Sequence, residues 1–373
     1  MGTRDQAAQA AVLQELSAAL GEGGHGHGPL VLSRPPVRHA RSTIYFVGDA
    51  ARPSLGPRWV VKRPDHAAAQ EDLASPLTAV HQFAVLKAVA DHFDRASPEL
   101  RAAQPVGFLS GVEALAMEFV PGLPLDRLVR PRALVAAHPL LDGVALSGAF
   151  LRHLHTIRPV QVGQVDLGAM ARDVLLLSDK MRSSAGLAIP AELDGALREI
   201  PDGAVGAAIV QLHGDFAAVN MILGDGPSIT GIDVSLDETG PAEMDLARFV
   251  MMLSTQRLFL AGGEVGRVSR LRRAVTAALF ESYDGDRATT VLFELQLVRQ
   301  LCLRWLQRHS TRLVNHPRLG ALRRAPVDRH FRALLRERAA ELRRVHGGSA
   351  ARAVLGDPAG RDRQSRALPG AHG

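Results

Sequence analysis

His213-Gly214-Asp215-Phe216-Ala217-Ala218-Val219-Asn220-Met221-Ile222-Leu223-Gly224-Asp225-Gly226, returning through Ile229-Thr230-Gly231-Ile232-Asp233, is a non-helical island between segments of helical periodicity. The apolar run Ala207 to Leu212 leads into it as a strand. Gly224-Asp225-Gly226 signals a hairpin turn, so 221–223 and 229–232 read as paired strands. Asp215 and Asn220 then sit on a loop between strands, and Asp233 leaves the end of a neighbouring strand. Three oxygen-bearing side chains converge outside strand ends. Phosphoryl transfer needs such a set: one carboxylate to orient a hydroxyl and accept its proton, an amide and a second carboxylate to hold a hard divalent cation. Singly, each of these residues also suits an ordinary loop.

Outward from this island the chain changes character. Residues 3–20 read as one amphipathic helix, with Val12, Leu16 and Leu20 on one face, followed by a Gly/His linker, Glu22 to Gly28, in which His25 and His27 need no metal role. From Leu30 to about Val120 the pattern is strand-rich. Ile44 to Val47, Trp59 to Lys62 and Leu115 to Val120 read as strands, and a helix capped by Ser75 carries Val80, Phe83, Leu86, Ala90 and Phe93. Beyond Pro124 the pattern is mainly helical, over 143–157, 166–182, 243–260, 268–284, 289–307 and 327–345. Cys302 falls on an apolar stripe and reads as core. From Gly347 onward, sparse apolar content predicts disorder. The expected division is 1–29 as helix and linker, 30–121 as an N-lobe, 122–346 as a C-lobe and 347–373 as a tail.

Composition narrows the classes. The 373 residues are 46% hydrophobic and 22% charged, ordinary globular values. One cysteine excludes an internal disulfide and a cysteine-based zinc cage. No apolar run is long enough to span a bilayer, and the N-terminus has no secretory apolar stretch, so a cytoplasmic protein without membrane contact is expected. Net charge is +6, but from Arg299 onward there are 17 arginines against 5 acids, leaving the first 298 residues net acidic. With 4% aromatic residues, and none interleaved with the tail arginines, specific nucleic-acid binding is not expected. Only Lys62, Lys87 and Lys180 are lysines, so each stands out in an arginine-rich chain.

With His213-Gly214-Asp215 and Asn220, then Ile232-Asp233, Pro241 to Arg248, Leu151-Arg152-His153-Leu154-His155 and Met117 to Gly122 in order, the chain resembles the aminoglycoside phosphotransferase/choline kinase-like family, over about residues 30–310. The resemblance implies a protein-kinase-like α+β fold of two lobes, with a small antiparallel sheet in the N-lobe and a larger, mainly helical C-lobe. It implies ATP and Mg²⁺, with a small-molecule hydroxyl as acceptor. Asp215 would be the catalytic base, and Asn220 and Asp233 the metal ligands. Lys62 would meet the nucleotide phosphates with Gln82, where relatives carry glutamate, as its helix partner; Glu71 is an alternative. Ser42 and Thr43, after Arg41, would cover the phosphates in place of a glycine-rich loop, and backbone groups from Glu118 to Val120 would hold adenine. Asp245 and His155 would brace the catalytic loop. Residues 134–298 carry 20 acids and 13 bases, which suits a cationic acceptor, with Asp237 and Glu238 the acids nearest the site. Gln82 admits a second reading: a nucleotide-binding regulator without turnover.

Overall fold

The computed structural model describes residues 3–24, 27–39, 42–64, 78–262, 266–284, 290–315 and 320–354. It is a mixed α+β protein with a small antiparallel sheet and a larger helical part. Among the described residues, the chain divides into two compact units, Met1–Val162 with Ala208–Leu258 and Gly266–Asp286, and Gly163–Ala207 with Phe259–Val265 and Arg287–Gly373. This division differs from the expected boundary at 121/122. Helix 138–154 packs on helix 266–284, and the strands around 213–233 pair with 100–102 and 123–124, all within the first unit.

In the first unit, helix α1 (Thr3–Glu22) precedes strands β1 (Leu30–Arg38), β2 (Ser42–Asp49) and β3 (Trp59–Pro64). Helix α2 (Ala79–Phe93) follows, then β4 (Leu100–Ala102), β5 (Pro105–Leu109) and β6 (Ala114–Glu118). Five strands form an antiparallel sheet in the order β1-β2-β3-β6-β5. Pro35 and Pro36 fall where β1 shifts register, on the edge strand, where a missing N–H costs the ladder least. Alternation along β3 turns Trp59 and Val61 into the core and leaves Val60 and Lys62 half-buried on the other face. Against the core face packs α1: Val12, Leu16 and Leu20 are 0% exposed, in one cluster with Tyr45, Val47, Trp59 and Val61. Each such side chain gains about 1.5–3 kcal/mol on burial, so α1 is part of this core, not a separate leader. Thr78 caps α2, accepting from the His81 N–H at 3.2 Å; Ser75, the expected cap, and Glu71 lie outside the described residues.

The first unit continues through β7 (Leu123–Pro124) and α3 (His138–Leu154). Strand β8 (Gln161–Asp166) and helices α4 (Leu167–Ala185) and α5 (Ala191–Arg198) lead to β9 (Ala204–Gln211), whose end re-enters that unit. There β10 (Met221–Leu223) pairs antiparallel with β11 (Ile229–Gly231) across the expected hairpin, and β12 (Thr239–Pro241) pairs with β9. Helices α6 (Glu243–Ser254), α7 (Arg257–Gly262), α8 (Gly266–Asp284), α9 (Val291–Asn315) and α10 (Gly320–Val354) complete the chain. The expected helix over 243–260 is thus two, broken at Thr255-Gln256. Helix α10 carries on through Gly347 to Val354, where a disordered tail was expected; the remainder of that tail lies outside the described residues.

In the second unit α9 packs on α4 and α10 on α9. Cys302 is fully buried, and burial pushes its thiol up to about 12, which makes it inert at neutral pH. Glu294 is also buried, 3.1 Å from Arg338 Nη1. Desolvation outweighs the arginine and lifts the carboxyl from 4.5 to about 7. A carboxyl whose folded pKa lies above its unfolded value stabilises the fold fully below pH 4.5. That contribution, about 3 kcal/mol, is lost as pH rises to 7. Urea midpoints measured at pH 5 and pH 8 are expected to fall with pH in the native protein and to fall less in Glu294→Gln; parallel pH dependences would refute this role.

Candidate active site

Strand β9 delivers His213 into the core, and a left-handed residue then turns the chain outward. Gly214 has φ +84°, and a Cβ there would fall on the Ser235 side chain, so this corner requires glycine. Ser235 returns to the same corner, its N–H donating to His213 O at 3.0 Å and its hydroxyl doing so at 3.3 Å. His213 is fully buried; desolvation lowers its pKa against the pull of Asp245, Asp215 and Asp233, which keeps the ring neutral. Its Nδ1 faces the Asp215 N–H at 3.4 Å. A single 3₁₀ turn, Ala218–Asn220, folds the loop back, and Asn220 Nδ2 donates to Asp215 O at 2.9 Å and to Asp215 Oδ2 at 3.3 Å.

The β10–β11 hairpin brings Asp233 alongside. Ile232 N–H donates to Asn220 O at 3.0 Å, tying the residue before Asp233 to the loop that carries Asn220. Asp233 itself is left-handed, φ 61°, a conformation aspartate tolerates better than most side chains. Behind it, Gly231 lies directly over Phe150, whose ring stacks on Phe93 at 4.5 Å. Lys62 reaches across from β3 and forms an ion pair with Asp233. Lys62, Gln82, Met117, Asp215, Asp233 and Ser235 line one cleft with a cavity volume of about 280 Å³.

Helix α6 supports the loop from beneath. Asp245, 2% exposed, accepts the His213 N–H at 2.7 Å on Oδ2, which also lies 3.2 Å from His155 Nε2. His155 Nδ1 meets the Tyr283 hydroxyl at 2.8 Å. With its proton on Nε2 toward the carboxylate, the imidazole accepts from tyrosine on Nδ1, so both ring nitrogens are satisfied. Three residues beyond Asp245 on the same helix, Arg248 places Nε 3.0 Å and Nη2 2.7 Å from Asp215 Oδ1. Neither Arg248 nor Tyr283 was singled out from sequence. The three-residue spacing from Asp245 at a helix start was the available signal for Arg248.

Asp215, Asp233, Lys62 and Gln82 thus come together, with Asn220 hydrogen-bonded to Asp215. The other candidates lie elsewhere. Ser42 and Thr43 pair with Pro64 and Arg63 across the β2–β3 ladder and do not line the cleft. His39 N–H donates to Ser42 O at 2.8 Å, and Arg41 lies outside the described residues. Glu118 and Val120 border a second cavity, about 450 Å³, with Phe119 and Pro121. The N–H groups of Glu118 and Phe119 donate to Gln104 O at 2.9 Å and Arg58 O at 2.8 Å. Asp237 is held by His81 Nε2 at 3.1 Å, and Glu238 lends its carbonyl to Leu212 N–H and the Gln211 amide.

The donor set fits a magnesium ion carried in by phosphates. Asn220 turns its amide nitrogen to Asp215 and offers Oδ1; Asp233 offers a half-exposed carboxylate. Among the described residues there is no cluster of three or more histidine, cysteine or acidic side chains able to hold a metal. Mg²⁺ keeps waters and takes one or two protein oxygens plus phosphate oxygens, a demand that two such side chains can meet.

Residues 34–284 match the model of the phosphotransferase enzyme family. Among solved structures, a Ralstonia eutropha protein provisionally named an aminoglycoside phosphotransferase aligns with 14% identity over 88% of this chain and 98% of its own, at a TM-score of 0.54. That likeness shows a shared kinase-like fold. A choline/ethanolamine kinase family protein from Mesorhizobium loti aligns at 14% identity over 90% of this chain and 95% of its own, with a TM-score of 0.46. No curated protein matches. Among the described residues, no helix is long and apolar enough to cross a membrane.

Proposed function

The chain belongs to the phosphotransferase enzyme family, and from that premise we propose that it is a small-molecule kinase moving the γ-phosphoryl group of ATP to a hydroxyl. The observation that carries this reading is the convergence of Lys62, Asp215 and Asp233 on one cleft, with Asn220 bonded to Asp215. Asp215 orients the acceptor hydroxyl and takes its proton as the acceptor oxygen bonds to the γ-phosphorus. The bridging bond to the β-phosphate breaks and ADP leaves. Lys62 supplies an ammonium to the phosphates. Asn220 and Asp233 would hold Mg²⁺, which when bound neutralises charge on the phosphates. Adenine would meet the chain near Glu118 to Val120; with two N–H groups committed there, the Val120 N–H is the next donor along. Among solved relatives of the fold are a glucosamine kinase and a spectinomycin phosphotransferase. Sugars, amino alcohols and aminoglycosides are therefore the acceptors to try. With Asp237 held by His81, a strong preference for cations finds less support than the acid balance alone suggested.

The deciding experiment measures ADP release from Mg·ATP across aminoglycosides, amino alcohols, sugars and nucleosides, with Asp215→Asn as blank. Acceptor-stimulated release absent from the blank supports the reading. Tight ATP binding without release for any compound would replace it with the regulatory one. Gln82→Glu tests the nucleotide half. Gln82 shares the cleft with Lys62, so a carboxylate there gives the ammonium an anionic partner besides Asp233. Steady-state kcat/KM for Mg·ATP is expected to hold or rise; a loss of tenfold or more would show that a carboxylate is harmful at this position.

A further inference from the structure

We propose that Arg248 is a positioning residue that selects which oxygen of Asp215 receives the acceptor's proton, an inference that rests on the phosphotransfer reading above. Both Arg248 contacts, Nε at 3.0 Å and Nη2 at 2.7 Å, fall on Oδ1. Two charge-assisted hydrogen bonds from a planar fork occupy that oxygen's accepting directions. Among the described residues, Oδ2 has only the long Asn220 amide contact, at 3.3 Å. It is the oxygen left able to accept a proton. The torsion that sets a carboxylate plane is broad and two-fold, so a half-exposed aspartate without such a clamp samples both oxygens and a spread of tilts.

The clamp is rigid because its base is. Arg248 stands one helical turn past Asp245, which is buried and hydrogen-bonded to both His155 and the His213 N–H. The catalytic loop is therefore gripped twice by α6, at the His213 backbone and at the Asp215 carboxylate. A solvent-exposed ion pair contributes about 0–1 kcal/mol to stability, so fold stability does not explain a two-nitrogen contact onto one oxygen of the candidate base. During transfer the acceptor O–H proton passes to Oδ2, the acceptor oxygen joins the γ-phosphorus and ADP departs; Arg248 stays bonded to Oδ1 throughout and exchanges no proton.

The test uses the full chain, Mg·ATP and the panel compound giving the fastest ADP release. Arg248→Ala is expected to lower kcat about 100-fold, the scale of a misplaced catalytic group, with KM for Mg·ATP within about twofold. Arg248→Lys, which keeps the charge but not the fork, recovers part of the loss. Added guanidinium chloride at millimolar concentration raises turnover of Arg248→Ala and not of Asp215→Asn. In the Asp215→Asn background, Arg248→Ala costs nothing further, because the residue acts only through Asp215. Should the alanine variant fail to fold, Arg248→Gln takes its place in each comparison. A kcat within twofold of native, or a loss that neither lysine nor guanidinium relieves and that adds to Asp215→Asn, overturns the proposal. If Arg248→Ala leaves a turning-over native enzyme unaffected, this inference alone fails; a native protein inactive across the panel takes the phosphotransfer reading down with it.

Discussion

Asp215→Asn is expected to cut turnover by about two to four orders of magnitude while leaving Mg·ATP affinity within about twofold of native. The substitution preserves volume. It also preserves the Asp215 backbone oxygen that accepts from Asn220 at 2.9 Å, so the loop should stay closed. An amide oxygen still accepts from Arg248, although without the charge that strengthens the pair. What disappears is the group able to take the acceptor's proton as the new phosphorus–oxygen bond forms. Positioning by Lys62, Asn220 and Asp233 survives and should supply the residual rate. Single-turnover ADP formation separates the chemical step from product release. A rate within tenfold of native would remove Asp215 from the role of base.

Gly231→Ala is expected to damage fold and site together, through a residue with no chemistry of its own. A Cβ at 231 would lie 2.6 Å from Phe150 Cε2 and closer still to Cζ. Phe150 cannot yield, being fully buried and stacked on Phe93. Overpacking of this kind costs about 1–3 kcal/mol. The strain has one cheap release, a shift of β11, and β11 leads directly to Asp233. A lowered urea midpoint should therefore come with weakened Mg·ATP binding by calorimetry. Gly226→Ala is the control: on the same hairpin, a Cβ there meets nothing within 4 Å. Equal behaviour of the two variants would show that the strand is not pinned by Phe150.

These two residues mark the limit of what the sequence could say. Asp215, Asn220 and Asp233 were legible because a strand, a loop and a hairpin bring them together within 20 residues, and local turn chemistry is written in local residues such as Gly224-Asp225-Gly226. Lys62 was legible by its rarity and by alternation along its strand. The family likeness pointed to Gln82 or Glu71 as its partner; Gln82 lines the same cleft, Glu71 lies outside the described residues, and the ion pair with Asp233, 171 positions away, was not foreseen. Likewise His155–Tyr283 depends on two helices meeting 128 positions apart, and Arg248–Asp215 on a helix meeting a loop 33 positions away, which no periodicity encodes. Helix boundaries failed for a related reason. Gly347 weakens a helix by about 1 kcal/mol, a local cost that does not decide where a 35-residue helix ends. Ser42 and Thr43 were placed by motif position alone, and the hairpin that carries them keeps them off the cleft.

The docking of α1 also bears on how the protein can be produced. A gene begun at residue 34, where the family match starts, would omit Val12, Leu16 and Leu20 together with the first residues of β1. The sheet that carries Lys62 would then present Tyr45, Val47, Trp59 and Val61 to water as one contiguous apolar patch, a surface that drives self-association. Inclusion bodies from such a clone would report the missing helix, not an inability of the catalytic part to fold. Affinity tags belong ahead of residue 3, and a protease site placed in the segment between α1 and β1 would release the cover from a finished enzyme.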